Sequence, residues 1–328
     1  MKSYSTVLTQ VTDRDLQLFL KLNVAGWLTT PQIGAYFFSG KSLNAVSKRM
    51  RKLVAAGYVA EAQVSSTETK FYRLAGRGTR VLLEQVDATQ IIRNPSQLPR
   101  KLRHFTAVND LRVAFEMALR TPDFTLAYFH AEREYPCLER QFPDARALLL
   151  QGFTRYQLIP DALANLQCGK QNRTFAIEYD TGSEPSHFFG YTKMRLYQEC
   201  FTQVSVPSET IIVLVIVPTL KRLLSLMRQV VQVHPPPRRF FFALLTKFNA
   251  RTWIEAPIFL DPTDYYVMTG QDGRSVVVEK VLPDASLPKH TLEGLLTAPP
   301  DKLSSREESH VLHKTNDNND FALPFRVH

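Results

Sequence analysis

Apolar positions recur at helical spacing from the start of the chain. Thr12, Asp13 and Asp15 form a cap with an acidic first turn, and Leu16, Phe19, Leu20 and Val24 then lie on one face, which predicts a first helix. Thr29-Thr30-Pro31 opens a second helix ahead of Ile33, Tyr36 and Phe37, and Gly40 ends it. Ser42 caps a third over residues 43–56, with Val46, Met50 and Leu53 on one face and Lys48, Arg49, Arg51 and Lys52 around the rest. Two strand-like runs, residues 58–64 and 70–74, then flank the polar Ser65-Ser66-Thr67-Glu68 turn. Helix, helix, basic helix, hairpin is the winged helix-turn-helix order.

Residues 79–86 read as a further helix, and residues 92–103, with Pro95, Pro99 and four cations, as an irregular basic connector. An amphipathic helix follows, its apolar face made of Phe105, Val108, Leu111, Phe115 and Leu119. Strand-like runs stand at 124–132, 156–166 and 173–179, then a helical stretch at 186–200. The Ile/Val/Leu run at 211–217 has the look of a strand buried on both faces, ahead of a helix at 220–233 and a strand at 239–245. The later half is a βαβαβ candidate. Short strands and loops are expected at 252–282. The fold class is therefore mixed α/β: a winged helix at 1–86, a basic linker at 87–104, an αβββαβ domain at 105–297, and a flexible polar tail at 298–328.

Charge sharpens this division. The chain has 328 residues and a formal net charge of +9, with 40 Lys/Arg against 31 Asp/Glu. Residues 1–104 hold 16 of the cations and only 6 of the acids, so the whole excess belongs to the winged-helix part and its linker. A basic module of that kind points to a polyanion, since neutralised phosphates release counterions. The expected partner is double-stranded DNA. In a winged helix the third helix enters the major groove while its flanking cations and the hairpin grip phosphates. The DNA-contacting candidates are Lys41, Ser42, Asn44, Lys48, Arg49, Arg51 and Lys52 in or beside that helix, with Lys70 and Arg73 on the wing. Asn44 and Arg49 are the candidate base readers, because Asn pairs bidentately with adenine and Arg with guanine.

The remaining composition excludes more than it suggests. Cys137, Cys168 and Cys200 lie far apart, without the spacing of a zinc site or a disulfide framework, which fits a reducing cytoplasm. No apolar run is long enough to span a bilayer, so no membrane partner is expected. GxGxxG and GxxxxGK[ST] loops are absent, and no HExxH occurs. A homodimer is plausible, because winged helices often read paired half-sites.

One constellation carries possible chemistry. Pro160-Asp161 near one expected strand and Glu178-Tyr179-Asp180 at the end of the next can bring carboxylates together, as Mg²⁺ or Mn²⁺ requires, and Glu116 could add another. The order αβββαβ with these acids resembles the PD-(D/E)xK restriction-endonuclease-like superfamily. That resemblance implies Asp161 and Glu178 as metal ligands and Asp161, Glu178, Asp180 and Lys193 as the candidate catalytic groups. Asp180 stands where the motif has its Lys, and Lys193 on the following helix is the substitute some members use. Many members keep only the fold, and strand-end acids also serve as plain loop caps. No cofactor is expected unless the site is active, when Mg or Mn would be needed.

A wider resemblance covers residues 8–250. Leu8-Thr9, Thr12-Asp13-Arg14-Asp15, Leu28-Thr29-Thr30-Pro31-Gln32-Ile33, Arg49-Met50-Arg51-Lys52-Leu53, Gly57-Tyr58-Val59 and Phe71-Tyr72-Arg73-Leu74 with Gly76 and Gly78 are similar to the start of the replication-relaxation family. His104, Ile159-Pro160-Asp161-Ala162, the block from Ile177 to Glu184, Lys193 and Tyr197 continue it. The resemblance implies a DNA-binding protein of a plasmid or integrative element, acting in replication, in the relaxosome or in regulation. A relaxase or a replication protein would then be a partner. The leading expectation is DNA recognition without hydrolysis; the alternatives are a metal-dependent nickase, and a transcriptional regulator or docking platform.

Overall fold

The computed structural model describes residues 10–64, 69–88, 91–92, 96–118, 124–136, 152–203, 211–230, 239–248, 259–260, 265–269, 275–279, 289–290 and 295. Three helices open the chain: α1 (Asp13–Ala25), α2 (Thr30–Phe37) after a two-residue strand β1 (Leu28–Thr29), and α3 (Leu43–Ala55). The hairpin β2 (Val59–Gln63) and β3 (Lys70–Leu74) follows, and β1 joins it as a three-stranded antiparallel sheet in the order β1-β3-β2. Then comes α4 (Gly76–Leu83). This is the winged-helix arrangement the apolar spacing predicts.

Its local signals are legible bond by bond. Thr12 and Asp15 form a reciprocal capping box at the start of α1, and Thr29 and Gln32 do the same for α2, with Pro31 in the first turn. Ser42 occupies the cap of α3, but its hydroxyl makes no capping bond there. Phe19, Leu22, Ile33, Val46, Met50, Leu53, Tyr72 and Leu74 close the module's core.

The second domain opens on α5 (Leu102–Ala118), three residues earlier than Phe105. Next stand β4 (Phe124–Ala131), β5 (Ala162–Cys168) and β6 (Gln171–Tyr179). A π-helical turn (Phe188–Lys193) runs directly into α6 (Met194–Gln203), followed by β7 (Ile211–Val217), α7 (Leu220–Val230) and β8 (Phe240–Leu244). Short strands β9 (Phe259–Leu260) and β12 (Lys289–His290) extend one edge of the sheet, while β10 (Tyr265–Thr269) and β11 (Ser275–Glu279) pair as a separate hairpin. The order β12-β9-β8-β7-β6-β5-β4 makes a seven-stranded sheet, antiparallel from β4 to β6 and parallel from β6 through β7 to β8. The α5-to-β7 order is αβββαβ, and β6-α6-β7-α7-β8 is the expected βαβαβ.

One expectation needs correction. The strand placed at 156–166 starts only at Ala162; residues 156–160 form a turn and an extended approach, with Gln157 at φ 56°. Tyr156, Leu158 and Ile159 have the composition of a strand, but Leu158 closes a local turn on the Phe153 carbonyl (2.8 Å) instead of joining a ladder. The tail at 298–328 lies outside the described residues.

The β7 run is continuous because it faces two cores. Ile212, Leu214 and Ile216 pack with Leu111 and Phe115 of α5, and Ile211, Val213, Val215 and Val217 pack with Met194 and Tyr197 of α6 and Leu223 and Met227 of α7. Phe240, Phe241 and Phe242 divide in the same way, two rings to one face and one to the other. The triple-Phe segment is a buried strand, as expected.

Arg49 of α3 is held by Asp15 of α1: its Nε donates to Asp15 Oδ1 at 2.9 Å, its second nitrogen reaches Oδ2, and the same nitrogen donates to the Gln10 carbonyl at 2.9 Å. Burial raises the Asp15 carboxyl's pKa, but the bonds from Arg49 and Thr12 outweigh it and hold the group below its usual value. A carboxylate so held stabilises the fold above its unfolded pKa of about 4 and loses that contribution as pH falls through the lower folded value. Asp15→Asn is expected to cost about 1–3 kcal/mol at pH 7, measured by urea melts. The loss should shrink in melts taken below pH 4; an unchanged difference there excludes the charge as its source.

Candidate functional site

Apart from Leu43 in its first turn, which is 52 % exposed, helix α3 separates an apolar face from a polar one. Val46, Met50 and Leu53 are fully buried, whereas Lys41, Ser42, Asn44, Lys48, Arg51 and Lys52 are exposed. The exposed set therefore presents four cations and an amide on one outer surface. Arg49 is on the same helix but turned away from it, with its guanidinium closed on Asp15. Lys70 pairs with Glu61 across the hairpin at 2.8 Å. Arg73 donates to the Leu74 carbonyl at 3.0 Å and lies over the Trp27 ring. Neither wing cation stands free, and neither partner was legible from local spacing.

The strand-end acids lie near one end of the sheet, and each is already partnered. Asp161 precedes β5, where Tyr135 fixes the chain by donating its hydroxyl to the Pro160 carbonyl at 2.9 Å. One Asp161 oxygen accepts from the Tyr179 amide at 2.7 Å and the other meets His104 Nε2 at 3.0 Å. Burial pushes the His104 pKa down, but Asp161 outweighs it and leaves the imidazole above its usual value. Asp180 accepts from Arg222 of α7 through Nε (2.9 Å) and Nη2 (2.6 Å), and from the Gly182 amide at 2.7 Å. Gly182 sits at φ 82°, a backbone region that favours glycine, and so turns its amide onto the acid.

Glu178 lies deepest, 1 % exposed on β6. Lys193 Nζ donates to one oxygen at 2.6 Å and the Tyr197 hydroxyl to the other at 2.5 Å. Lys193 belongs to the π-helical turn, packed against α7 where Gly190 approaches so closely that a Cβ would meet Gln229 Cβ at 2.6 Å. The expected lysine on the following element does reach the third-strand acid. Desolvation raises the Glu178 carboxyl to about 7 despite Lys193, with Asp161 adding repulsion. Desolvation lowers the Lys193 pKa, yet Glu178 more than compensates and leaves it raised.

The replication-relaxation family model matches residues 20–215. The chain belongs to the replication-relaxation family. Among solved structures, Bacillus subtilis PadR in complex with operator DNA is similar at 16% identity over 45% of this chain and 76% of that one, with a TM-score of 0.20. The restriction endonuclease FokI bound to DNA is similar at 14% identity over 73% of this chain and 45% of that one, with a TM-score of 0.20. No curated protein matches the chain significantly.

In this replication-relaxation protein the donor set does not fit Mg²⁺ or Mn²⁺. Such ions need several oxygens with free lone pairs around an open position. Both Glu178 oxygens are taken by Lys193 and Tyr197, Asp180 is taken by Arg222, and no three His, Cys, Asp or Glu side chains converge as a metal cluster among the described residues. Sequence reasoning had no signal for Arg222, which lies 42 residues beyond Asp180 and reaches it only through the α7 fold. His104 and Tyr197 stood in the motif series without an assigned role.

A carboxyl with a raised folded pKa contributes stability below its unfolded pKa and loses it as pH rises toward the folded value. Lys193→Met removes the one cation bonded to Glu178 and raises that value further. Thermal melts of the variant and the parent should nearly coincide at pH 5.5, and the variant should melt lower at pH 8.5 by several degrees, equivalent to about 1–3 kcal/mol. Equal melting at pH 8.5 excludes a charged Glu178 in the folded protein.

Proposed function

We propose that this protein binds duplex DNA through the outer face of α3, in the replication, mobilisation or regulation of a mobile genetic element such as a plasmid or integrative element. The observation that carries the reading is the separation on α3: Lys41, Lys48, Arg51 and Lys52 are exposed with Asn44 between them, while the apolar face is locked into the module's core. Exposed cations gain most from phosphates, and among the described residues none of these four has an ion-pair partner. Asn44 is the base reader in this reading, since its amide is exposed and adenine offers a matching donor and acceptor edge. Arg49 supports the helix from behind instead of reading guanine.

Recognition without hydrolysis is the form proposed. The strand-end acids are bonded by Lys193, His104 and Arg222, which suits a stabilising role better than metal-assisted attack on phosphorus. A relaxase or replication protein as partner, assembly as a homodimer and a cytoplasmic setting belong to the same proposal.

Replacing Lys48, Arg51 and Lys52 together by Ser should weaken binding to a duplex containing the protein's site by tenfold or more. The slope of log affinity against log salt should fall by about 2 to 3, at roughly 0.9 per phosphate contact. Fluorescence anisotropy across a salt series measures both; unchanged affinity and slope exclude α3 as the interface. Incubated with Mg²⁺ or Mn²⁺, supercoiled plasmid should stay intact. Metal-dependent nicking that disappears in Asp161→Ala would instead establish the nickase.

A further inference from the structure

A cleft of 1010 Å³ opens between the wing and the second domain, lined on one side by Phe71 of β3 and on the other by Tyr179, Thr181 and Ser183 at the end of β6. Its third side is the turn before α5 with the first turn of that helix, which contribute Arg100, Lys101, Arg103 and His104. Arg100, Lys101 and Arg103 are exposed, and among the described residues none of their side chains has an ion-pair partner. The single carboxylate in the lining, Asp110, accepts from Gln32 at 2.7 Å. Three exposed cations therefore stand against one carboxylate in the lining, and among the described residues none is ion-paired with it.

We infer that this cleft holds the phosphodiester backbone of a single nucleic-acid strand, as a contact additional to the duplex face on α3. Chemistry and shape both point there. Three exposed cations in a groove, with the exposed Ser183 hydroxyl beside them, match a chain of phosphates held along one recess. A recessed positive groove that follows one backbone is the setting in which single strands are held, whereas a duplex offers its major groove to a protruding element such as α3. None of the exposed α3 residues lines it, so the two surfaces can be occupied by different parts of one molecule. This inference does not depend on the reading of α3.

The test uses the full chain and two fluorescent probes, a twelve-nucleotide oligothymidylate and a mixed-sequence duplex. Arg100→Ser, Lys101→Ser and Arg103→Ser together should lower oligothymidylate affinity tenfold or more and reduce its salt slope by about 2, at roughly 0.7 per phosphate. Duplex affinity should change less than threefold. The α3 triple variant described above should show the reverse, losing duplex binding and keeping oligothymidylate within threefold. Circular dichroism confirms that both variants are folded; their altered residues are exposed, so the spectra should match the parent. Failure of the parent to bind oligothymidylate at low salt overturns the inference, as does parent-like binding by the cleft variant. Equal weakening of both probes by both variants overturns it too, because the attraction would then be a diffuse field. The duplex arm with the α3 variant separately decides the groove-reading proposal.

Discussion

Arg112 imposes the constraint from which the relation of the two modules follows. Its guanidinium is 1 % exposed at the middle of α5, and a charge taken that far from water is tolerable only if paired and hydrogen-bonded. It is paired twice, with Glu134 beyond β4 and with Glu116 one turn along α5, and it donates to the Phe129 carbonyl at 3.0 Å. Glu116 in turn takes Lys21 of α1 at 2.5 Å, so satisfying one buried cation also fastens the winged helix to the sheet. Asn109 on the same helix donates to the Trp27 carbonyl at 2.9 Å, and Gln32 of α2 reaches back to Asp110. The α5 helix is thus shared: one side fills the sheet's core and the other is the seat of the winged helix. The walls of the cleft keep their spacing because of this seat.

Electrostatic satisfaction also decides how the strand-end acids are understood. Three carboxylates near one end of a sheet repel one another, and folding can relieve that with a metal ion or with cations of the chain itself. Here the chain supplies the cations Lys193 to Glu178 and Arg222 to Asp180, and the His104 ring to Asp161. Each partner comes from a different element, so the same pairs also tie α5, the π-helical turn and α7 to this end of the sheet. The αβββαβ domain thus uses its polar centre as a clasp between elements.

Elements governed by local periodicity were legible in the sequence. The α3 face, both capping boxes, the β7 run and the βαβαβ half all follow from spacing within a few residues. The strand misplaced at 156–160 shows the limit of composition, because Tyr156, Leu158 and Ile159 are as strand-like as their neighbours and only the local turn on Phe153 removes them from the sheet. The candidate site was legible as a set of positions, and the structure brings one pair of them, Lys193 and Glu178, into contact. What could not be read were the partners. Asp15 is 34 residues from Arg49 and Arg222 is 42 from Asp180, distances at which only the folded chain decides who meets whom.

That distinction changes what the N-terminal charge means. An excess of ten cations over acids in residues 1–104 describes a sequence, but a phosphate meets only those cations the fold leaves unspent. Lys21 is on Glu116, Arg49 on Asp15 and Lys70 on Glu61. Arg14 lies over Phe38, Arg73 over Trp27 and Arg77 over Tyr58. With these committed, two local groups of exposed cations stand out: Lys41, Lys48, Arg51 and Lys52 around α3, and Arg100, Lys101 and Arg103 in the turn before α5 and its first turn. They differ in setting, one on a protruding helix and one beside a recessed cleft. A single basic field would attract any polyanion equally, whereas two groups on surfaces of different shape present a polyanion with two distinct settings.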